Sequence, residues 1–276
     1  MQSALIEWSA RTRRDLPWRH TRDPWAVLVS ELMLQQTQVA RVIPKYHAFL
    51  ELFPTAAACA TASAGDVVRA WAGLGYNRRA LNLHGTAVAV VERHGGVLPD
   101  DLEALLALPG IGPYTARAVL AFAYEHDVGV LDVNAARVVH RTAGYRLPPA
   151  AAQLRADALV PPGQGWAWNQ AMLDLGATVC TRRAPRCREC PVVAHCAWDG
   201  ETADPAPEAS RQSTFEGSDR QGRGRLVDAL RDGPVSIADI PTVAGWPDDA
   251  SRAHRVADTL VADGLAAVAG DALVLP

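Results

Sequence analysis

The stretch LPGIGPYTARAV, residues 108–119, decides how this chain is read. Gly110 and Gly112 flank one apolar residue in a tight connection, with the helical run DDLEALLAL (100–108) before it and YTARAVLAFAY (114–124) after it. Glycines at the start of a helix let backbone N–H groups close on a phosphate, because no side chain blocks the approach. The same pattern also serves as an ordinary helix–turn–helix packed into a core. The turn alone leaves both readings open.

Downstream, Cys180, Cys187, Cys190 and Cys196 follow one another as Cys-x6-Cys-x2-Cys-x5-Cys, and the fifth cysteine, Cys59, lies far away. Four thiolates in one short loop can surround a single metal centre, and soft sulfur ligands suit zinc or an iron–sulfur cluster. Structural zinc sites of four cysteines usually come as two Cys-x-x-Cys arms separated by a longer loop. Here one such pair is flanked by single cysteines, which favours a [4Fe–4S] cluster and leaves zinc and free thiols as alternatives. A disulfide framework belongs to small secreted domains, which this chain does not resemble.

The 276 residues leave room for one large or two modest domains. The start lacks an apolar segment followed by a small-residue cleavage site, and no stretch approaches about 20 uninterrupted apolar residues. A reducing cytoplasm, with no membrane, is therefore the expected home, and a nucleoid-associated place within it if DNA is the partner. The cations are arginines except for Lys45. Residues 1–199 carry 20 Arg/Lys against 17 Asp/Glu, and residues 200–276 carry 7 against 13, so any basic surface is expected in the first part.

Helical patterns dominate to about residue 178. Pro24 stands where a first-turn proline would, ahead of WAVLVSELMLQQ (25–36), and VARVIPKYHAFLELF (39–53) is expected to break or bend near Pro44. Short helices are expected at AAACATA (56–62) and AGDVVRAWA (64–72), with a long one at RRALNLHGTAVAVVERH (78–94) ended by Gly95 and Gly96. NAARVVHRTA (134–143) and WAWNQAMLDLGATV (166–179) complete the set. Strand-type alternation is scarce, so the fold class is mainly all-α. Residues 199–222 are polar and rich in Pro, Ser and Gly, a linker composition. After them, GRLVDALRD, SIADI, DDASRAHRVADTLVADG and the alternating LAAVAGDALVLP predict three helices and a hairpin, a small winged-helix-like unit. Its long helix carries Arg252, His254 and Arg255 but also four aspartates, which favours packing or partner contact over DNA reading.

The glycine turn resembles the helix–hairpin–helix of DNA repair glycosylases, and with the cysteine run it resembles the endonuclease III-like branch. DLPWR (15–19), SELMLQQTQV (30–39), GLGY (73–76), LPGIGPYTA (108–116), LDVN (131–134) and NQAMLDLGATVCTRRAPRCRECP (169–191) resemble MutY-type adenine DNA glycosylases over about residues 5–198. The resemblance implies a two-lobed fold. Residues 22–131 would form a six-helix lobe bearing the hairpin, and residues 1–21 with 132–198 a cluster-bearing helical lobe. Residues 199–222 would be the linker and 223–276 the winged-helix-like domain. It also implies a [4Fe–4S] cluster on Cys180, Cys187, Cys190 and Cys196.

The implied activity is hydrolysis of the N-glycosidic bond of adenine mispaired with 8-oxoguanine or guanine, by a monomer acting on double-stranded DNA. Bifunctional relatives carry a lysine where Tyr114 stands, and tyrosine cannot form their Schiff base, so the enzyme should be monofunctional. Glu31 lies among Leu28, Leu32 and Leu34, where a carboxyl held against apolar neighbours disfavours ionisation and can donate a proton. Matched to the family's glutamate, it would protonate adenine N7 and later assist water; by default a helix glutamate is simply exposed. Asp132, just ahead of a helix, reads first as an N-cap, and the family role of offsetting oxocarbenium charge is compatible with that. Asn134 and Tyr114 would orient the sugar, Asp132 or water. The family commonly reads Asp-Gly-Asn-Val where this chain has Asp132-Val133-Asn134-Ala135, which sets a β-branched side chain beside the loop.

Base flipping needs a wedge and a pocket. Gln36 and Tyr76 match residues that wedge near the opposite base, although Asn77 stands where many relatives have a second tyrosine. Trp18, Arg19 and Gln170 match adenine-contacting positions, and the Gly110 and Gly112 turn would meet DNA phosphate, as would Arg182, Arg183, Arg186 and Arg188. Two other readings compete: a T:G mismatch glycosylase, which typically lacks the glutamate, and a non-enzymatic iron–sulfur DNA-binding regulator, which would want a basic recognition helix. Full-length relatives carry a Nudix-like domain that reads 8-oxoguanine. Only the acidic linker and small unit follow here, so lesion recognition is expected to rest on the core or on a partner.

Overall fold

A computed structural model of the chain describes residues 1–208 and 213–276. Helix α1 (Gln2–Thr12) opens the chain. Helix α2 (Pro24–Leu34) starts on Asp23, whose carboxylate accepts from the N–H groups of Trp25 and Ala26, both at 3.2 Å, while Pro24 fills a position that needs no donor. Helix α3 (Val39–Leu52) runs through Pro44 without the break that was one of the two expectations there. Pro44 is exposed, while Val42, Tyr46 and Phe49 bury the opposite face, so water can serve the carbonyl the proline leaves unpaired.

Helices α4 (Ala56–Thr61) and α5 (Ala64–Ala70) are capped by the side chains of Thr55 and Ser63. Helix α6 (Arg78–His94) ends on Gly95, whose φ of 63° suits only a residue without Cβ strain. Then come α7 (Leu102–Leu106), α8 (Pro113–Phe122), α9 (Val133–Ala143), α10 (Pro149–Leu159) and α11 (Gly165–Asp174), the last passing into a π-turn at Leu175–Val179. The tail holds α12 (Asp219–Asp232), α13 (Ile240–Ala244) and α14 (Ala250–Ala262). Its strands β1 (Val235–Ser236), β2 (Ala267–Ala269) and β3 (Ala272–Val274) form an antiparallel sheet in the order β1-β3-β2, with Val235 opposite Leu273. Helix, helix, helix and wing are in place.

Two compact units emerge. The first joins residues 1–28, 100–106 and 112–208, and the second joins 29–99, 107–111 and 213–276. In the first, Leu5, Val138, Val139, Trp168 and Leu175 share one core, so the N-terminal helix closes over α9 and α11. In the second, Phe49 packs edge-on against Trp71 at 5.9 Å, while Leu226, Leu230, Ile240, Leu260 and Leu273 are buried in the tail. Among the described residues, no helix is long and apolar enough to cross a membrane.

Candidate active site and cysteine centre

Asp132 caps α9. Its Oδ1 accepts from the N–H groups of Asn134 (2.8 Å) and Ala135 (2.6 Å), and its Oδ2 accepts from Asn134 Nδ2 at 2.8 Å. The carboxylate is thus held rigidly at a helix N-terminus, where the helix dipole favours negative charge. The segment leading to it is equally fixed. Buried Asn169 accepts from Val130 N–H at 2.8 Å, and Asp157 accepts from Gly129 N–H at 2.7 Å and from Arg117 at 2.6 Å. Val133 is 77% exposed, so the side chain that departs from the family pattern projects into solvent and leaves the cap intact.

Asn134 also accepts from Arg137 Nη2 at 2.9 Å. Arg137 is buried, and it donates to the carbonyls of Gly176 and Cys180, both at 2.7 Å. One guanidinium therefore ties the Asp132–Asn134 cap to the π-turn and to the first cysteine of the run. A Cβ on Gly176 would lie 2.7 Å from the Asn134 backbone, which explains a glycine there. Neither Arg137 nor Asn169 stands out in the sequence, because their partners lie about 40 residues away.

The four cysteines line one cavity of about 230 Å3 together with Val179, Val193, Trp198 and Arg141. None of them is disulfide-bonded. Arg141 donates to Cys180 Sγ at 3.3 Å and to Thr181 O at 2.8 Å, pairs with Asp204 at 2.6 Å, and lies 4.2 Å from the Trp198 ring centre. The first residues after the cysteine run are thereby anchored. Burial, followed by the neighbouring thiols, pushes Cys190 and Cys196 up from their ordinary range. Such a crowd of sulfurs becomes thiolate readily only around a cationic centre. Among the described residues, no three His, Cys, Asp or Glu side chains converge as a site for a single metal ion. Cys59 is different: burial pushes it up to about 12, and it is inert core.

In the same unit, Trp18 and Arg19 are buried on the 3-10 turn Pro17–Arg19, and Gln170 is buried on α11. Arg19 forms a two-pronged pair with buried Asp174, at 2.8 and 2.9 Å, and Arg14 adds a third contact at 2.6 Å. Burial alone would raise the Asp174 carboxyl, but Arg19 and then Arg14 outweigh it and hold it below the usual carboxylate range. Tyr114 is half-buried in the first turn of α8, whose N-cap is Gly112. No atom would lie within 4 Å of a Cβ on Gly112, so its backbone is approachable.

The second unit holds Glu31, Gln36, Tyr76 and Gly110. Glu31 is only 5% exposed, unlike the exposed glutamate expected by default. Gly110 has φ 73° and faces Asn82, whose side chain would lie 2.4 Å from a Cβ. Gln36 and Tyr76 have φ of 57° and 49°, strained for residues with side chains. Buried Arg79 holds both. It donates to the carbonyls of Leu32 (2.6 Å), Met33 (2.9 Å) and Gln35 (2.7 Å) on one side, and of Leu74 (3.1 Å) and Gly75 (2.9 Å) on the other. One cation thus caps the C-terminal end of the Glu31 helix and staples the GLGY loop beside it. Desolvation lowers Arg79 to about 10. The only sequence cue was an Arg-Arg pair after GLGY-Asn.

Residues 29–162 match the family described as HhH-GPD superfamily base excision DNA repair protein. The chain is 45% identical to the adenine DNA glycosylase of Mycolicibacterium smegmatis over 95% of its length and 90% of that protein. It is 41% identical to the adenine DNA glycosylase of Homo sapiens over 71% of its length and 38% of that protein. Among solved structures it is similar to a thermostable thymine-DNA glycosylase (TM-score 0.69, 30% identity, 72% of this chain and 95% of that one). It shares its fold with endonuclease III in a trapped covalent complex with DNA (TM-score 0.62, 20% identity, 71% and 92%).

Proposed function

The chain belongs to the HhH-GPD superfamily of base excision DNA repair proteins, and from that premise we propose that it is a monofunctional adenine DNA glycosylase acting on A:8-oxoguanine and A:G mispairs. The observation that carries this reading is the extent of the likeness to an adenine DNA glycosylase, 45% over 95% of the chain, joined to a buried Glu31 and a capped Asp132. Glu31, as general acid, gives its proton to adenine N7, which turns a poor anionic leaving group into a neutral one. The C1′–N9 bond breaks, and the Asp132 carboxylate offsets the positive charge that grows on the sugar. Water adds at C1′ and gives its proton back to Glu31. Tyr114 and Asn134 orient the sugar side, while Trp18, Arg19 and Gln170 border the base. Arg19, engaged by Asp174, acts in this reading by shaping the pocket wall rather than as a free cation.

A [4Fe–4S] cluster is supported by the lining of the cysteine cavity, where the four cysteines share one space with apolar side chains and a cation. Bound there by Cys180, Cys187, Cys190 and Cys196, it would cross-link the loop bearing Arg182, Arg183, Arg186 and Arg188, all exposed. Purified protein should contain about four irons per chain and absorb broadly at about 400 nm. Stoichiometric zinc in anaerobically prepared protein would overturn this.

The function is tested by incubating the protein with duplexes holding A:8-oxoG, A:G, T:G and A:T and cleaving abasic sites with alkali. Release from the first two supports the reading. Release from T:G alone would favour a thymine-directed enzyme, the activity named for the structural relative.

A further inference from the structure

The second unit contains a groove of about 980 Å3 that no step of this chemistry uses. Among the described residues, six arginines line it: Arg41, Arg78 and Arg79 from the helical lobe, and Arg220, Arg223 and Arg231 from α12 of the tail. Among the described residues, two carboxylates, Asp228 and Asp263, line it with them, a surplus of four positive charges. The tail as a whole is acidic, so this concentration is local. Asp263 holds Arg78 (3.1 Å) and Arg223 (2.6 Å) side by side, with their forks oriented before any ligand arrives. Gln36 and Tyr76 line the same groove.

The tail is fastened where the groove forms. Arg231 donates to Val68 O at 3.0 Å and to Asn77 Oδ1 at 2.7 Å, next to Tyr76, and Gly65 N–H donates to Pro276 O at 2.8 Å. The cations of the long helix α14 lie outside the groove. Arg252 stacks on Trp246 at 4.0 Å and pairs with Asp219 at 2.7 Å, and Arg255 lies 3.7 Å from the same aspartate. The cations the tail brings to the groove, among the described residues, are those of α12.

We propose that this groove is a DNA-binding site that takes the sugar–phosphate backbone of the strand opposite the excised adenine, gripped by Arg220 and Arg223 of the tail and Arg78 of the lobe. The proposal rests on the reading above that Gln36 and Tyr76 stand at the opposite base. It makes the winged-helix-like tail a second DNA-contacting element, working through its first helix rather than its third. Guanidinium forks match phosphate oxygens two at a time, and each neutralised phosphate releases counterions.

The test uses the full chain and a duplex carrying a non-hydrolysable abasic analogue opposite 8-oxoguanine. Binding is measured by fluorescence anisotropy across a salt series, with backbone footprinting of each strand. Arg220→Gln combined with Arg223→Gln should weaken binding about tenfold and lower the salt slope by about 1–2, since each phosphate contact contributes about 0.9. Footprint protection should be lost on the strand opposite the analogue and kept on the other. Arg220→Gln alone, at a partly exposed position, should show about half the slope change and guards against misfolding of the double variant. Arg255→Gln, in the same tail but outside the groove, should change neither. Unchanged slope and footprint in the folded variants, or an equal effect from Arg255→Gln, overturns the proposal. Adenine release by the wild type is assayed alongside. A wild type that binds with the full slope yet releases no adenine defeats the functional reading while leaving the groove standing.

Discussion

The Asp132 carboxylate commits both oxygens to its own helix start, and asparagine is as good an N-cap as aspartate. Asp132→Asn should therefore fold with stability within about 1 kcal/mol of the wild type, yet lose adenine release by roughly 100-fold or more, because in the proposed mechanism only the charge that offsets the oxocarbenium is gone. Glu31→Gln removes the proposed proton donor at nearly constant volume and should likewise stop release while duplex binding survives. Single-turnover rates, with thermal midpoints and anisotropy on the same samples, check both. A near-normal rate in either variant would falsify the assigned mechanism. At this scale the sequence was informative where chemistry is local. The cap at Asp132 follows from its place before a helix. The burial of Glu31 follows from WAVLVSELML being apolar on every face, the mark of an enclosed helix, although the default assumption of an exposed glutamate missed it.

Elements were legible when their ends carry signals. Helix α6 was readable to its boundaries because Gly95 stops it, and the start of α8 was readable to within a residue because the glycine turn precedes it. Helices α1 and α10 went unread: neither has a side-chain cap, and α10 is alanine-rich with only Ala152 and Ala156 buried. The π-turn before Cys180 has no local signature either. What joins elements was also illegible, since Arg79, Arg137 and Arg19 act on carbonyls and carboxylates distant in sequence. The Arg19–Asp174–Arg14 cluster fastens the segment after α1 to the end of α11 and carries a pH signature. The folded Asp174 carboxyl lies below its unfolded value, so its contribution is complete above the unfolded pKa of about 3.9 and is lost as pH falls through the folded one. Urea midpoints of the wild type should therefore fall more steeply below about pH 4 than those of Asp174→Asn, which should be less stable at pH 7 by roughly 3 kcal/mol for a broken buried pair. Parallel acid profiles for the two proteins would dismiss the cluster as a stabilising element.

At the scale of the molecule, the departure at Asn77 acquires a reason. Where the family resemblance implies a second tyrosine, this chain has an acceptor for Arg231, so a residue of the tail holds the loop that carries Tyr76. The sequence reads the tail as a separate unit after a linker and leaves lesion recognition to the core or to a partner. Yet the tail belongs to the same compact unit as residues 29–99, and its arginines share a groove with Gln36 and Tyr76. Opposite-base discrimination should then depend on the tail through this tie. Adenine is expected to leave both A:8-oxoG and A:G duplexes, with a preference for the lesion set by how firmly Tyr76 and Gln36 are held. Arg231→Met keeps the buried stem but loses the bonds to Asn77 and Val68, so the ratio of A:8-oxoG to A:G single-turnover rates should fall several-fold. One lost base-edge contact is worth about 1–3 kcal/mol of discrimination, and a loosened wedge should forfeit part of it. Arg231→Lys, which can restore one donor, should recover part of the ratio, whereas a purely structural role would move the thermal midpoint and leave the ratio alone. A ratio equal to the wild type's in a folded Arg231→Met protein would return lesion reading to the helical core by itself.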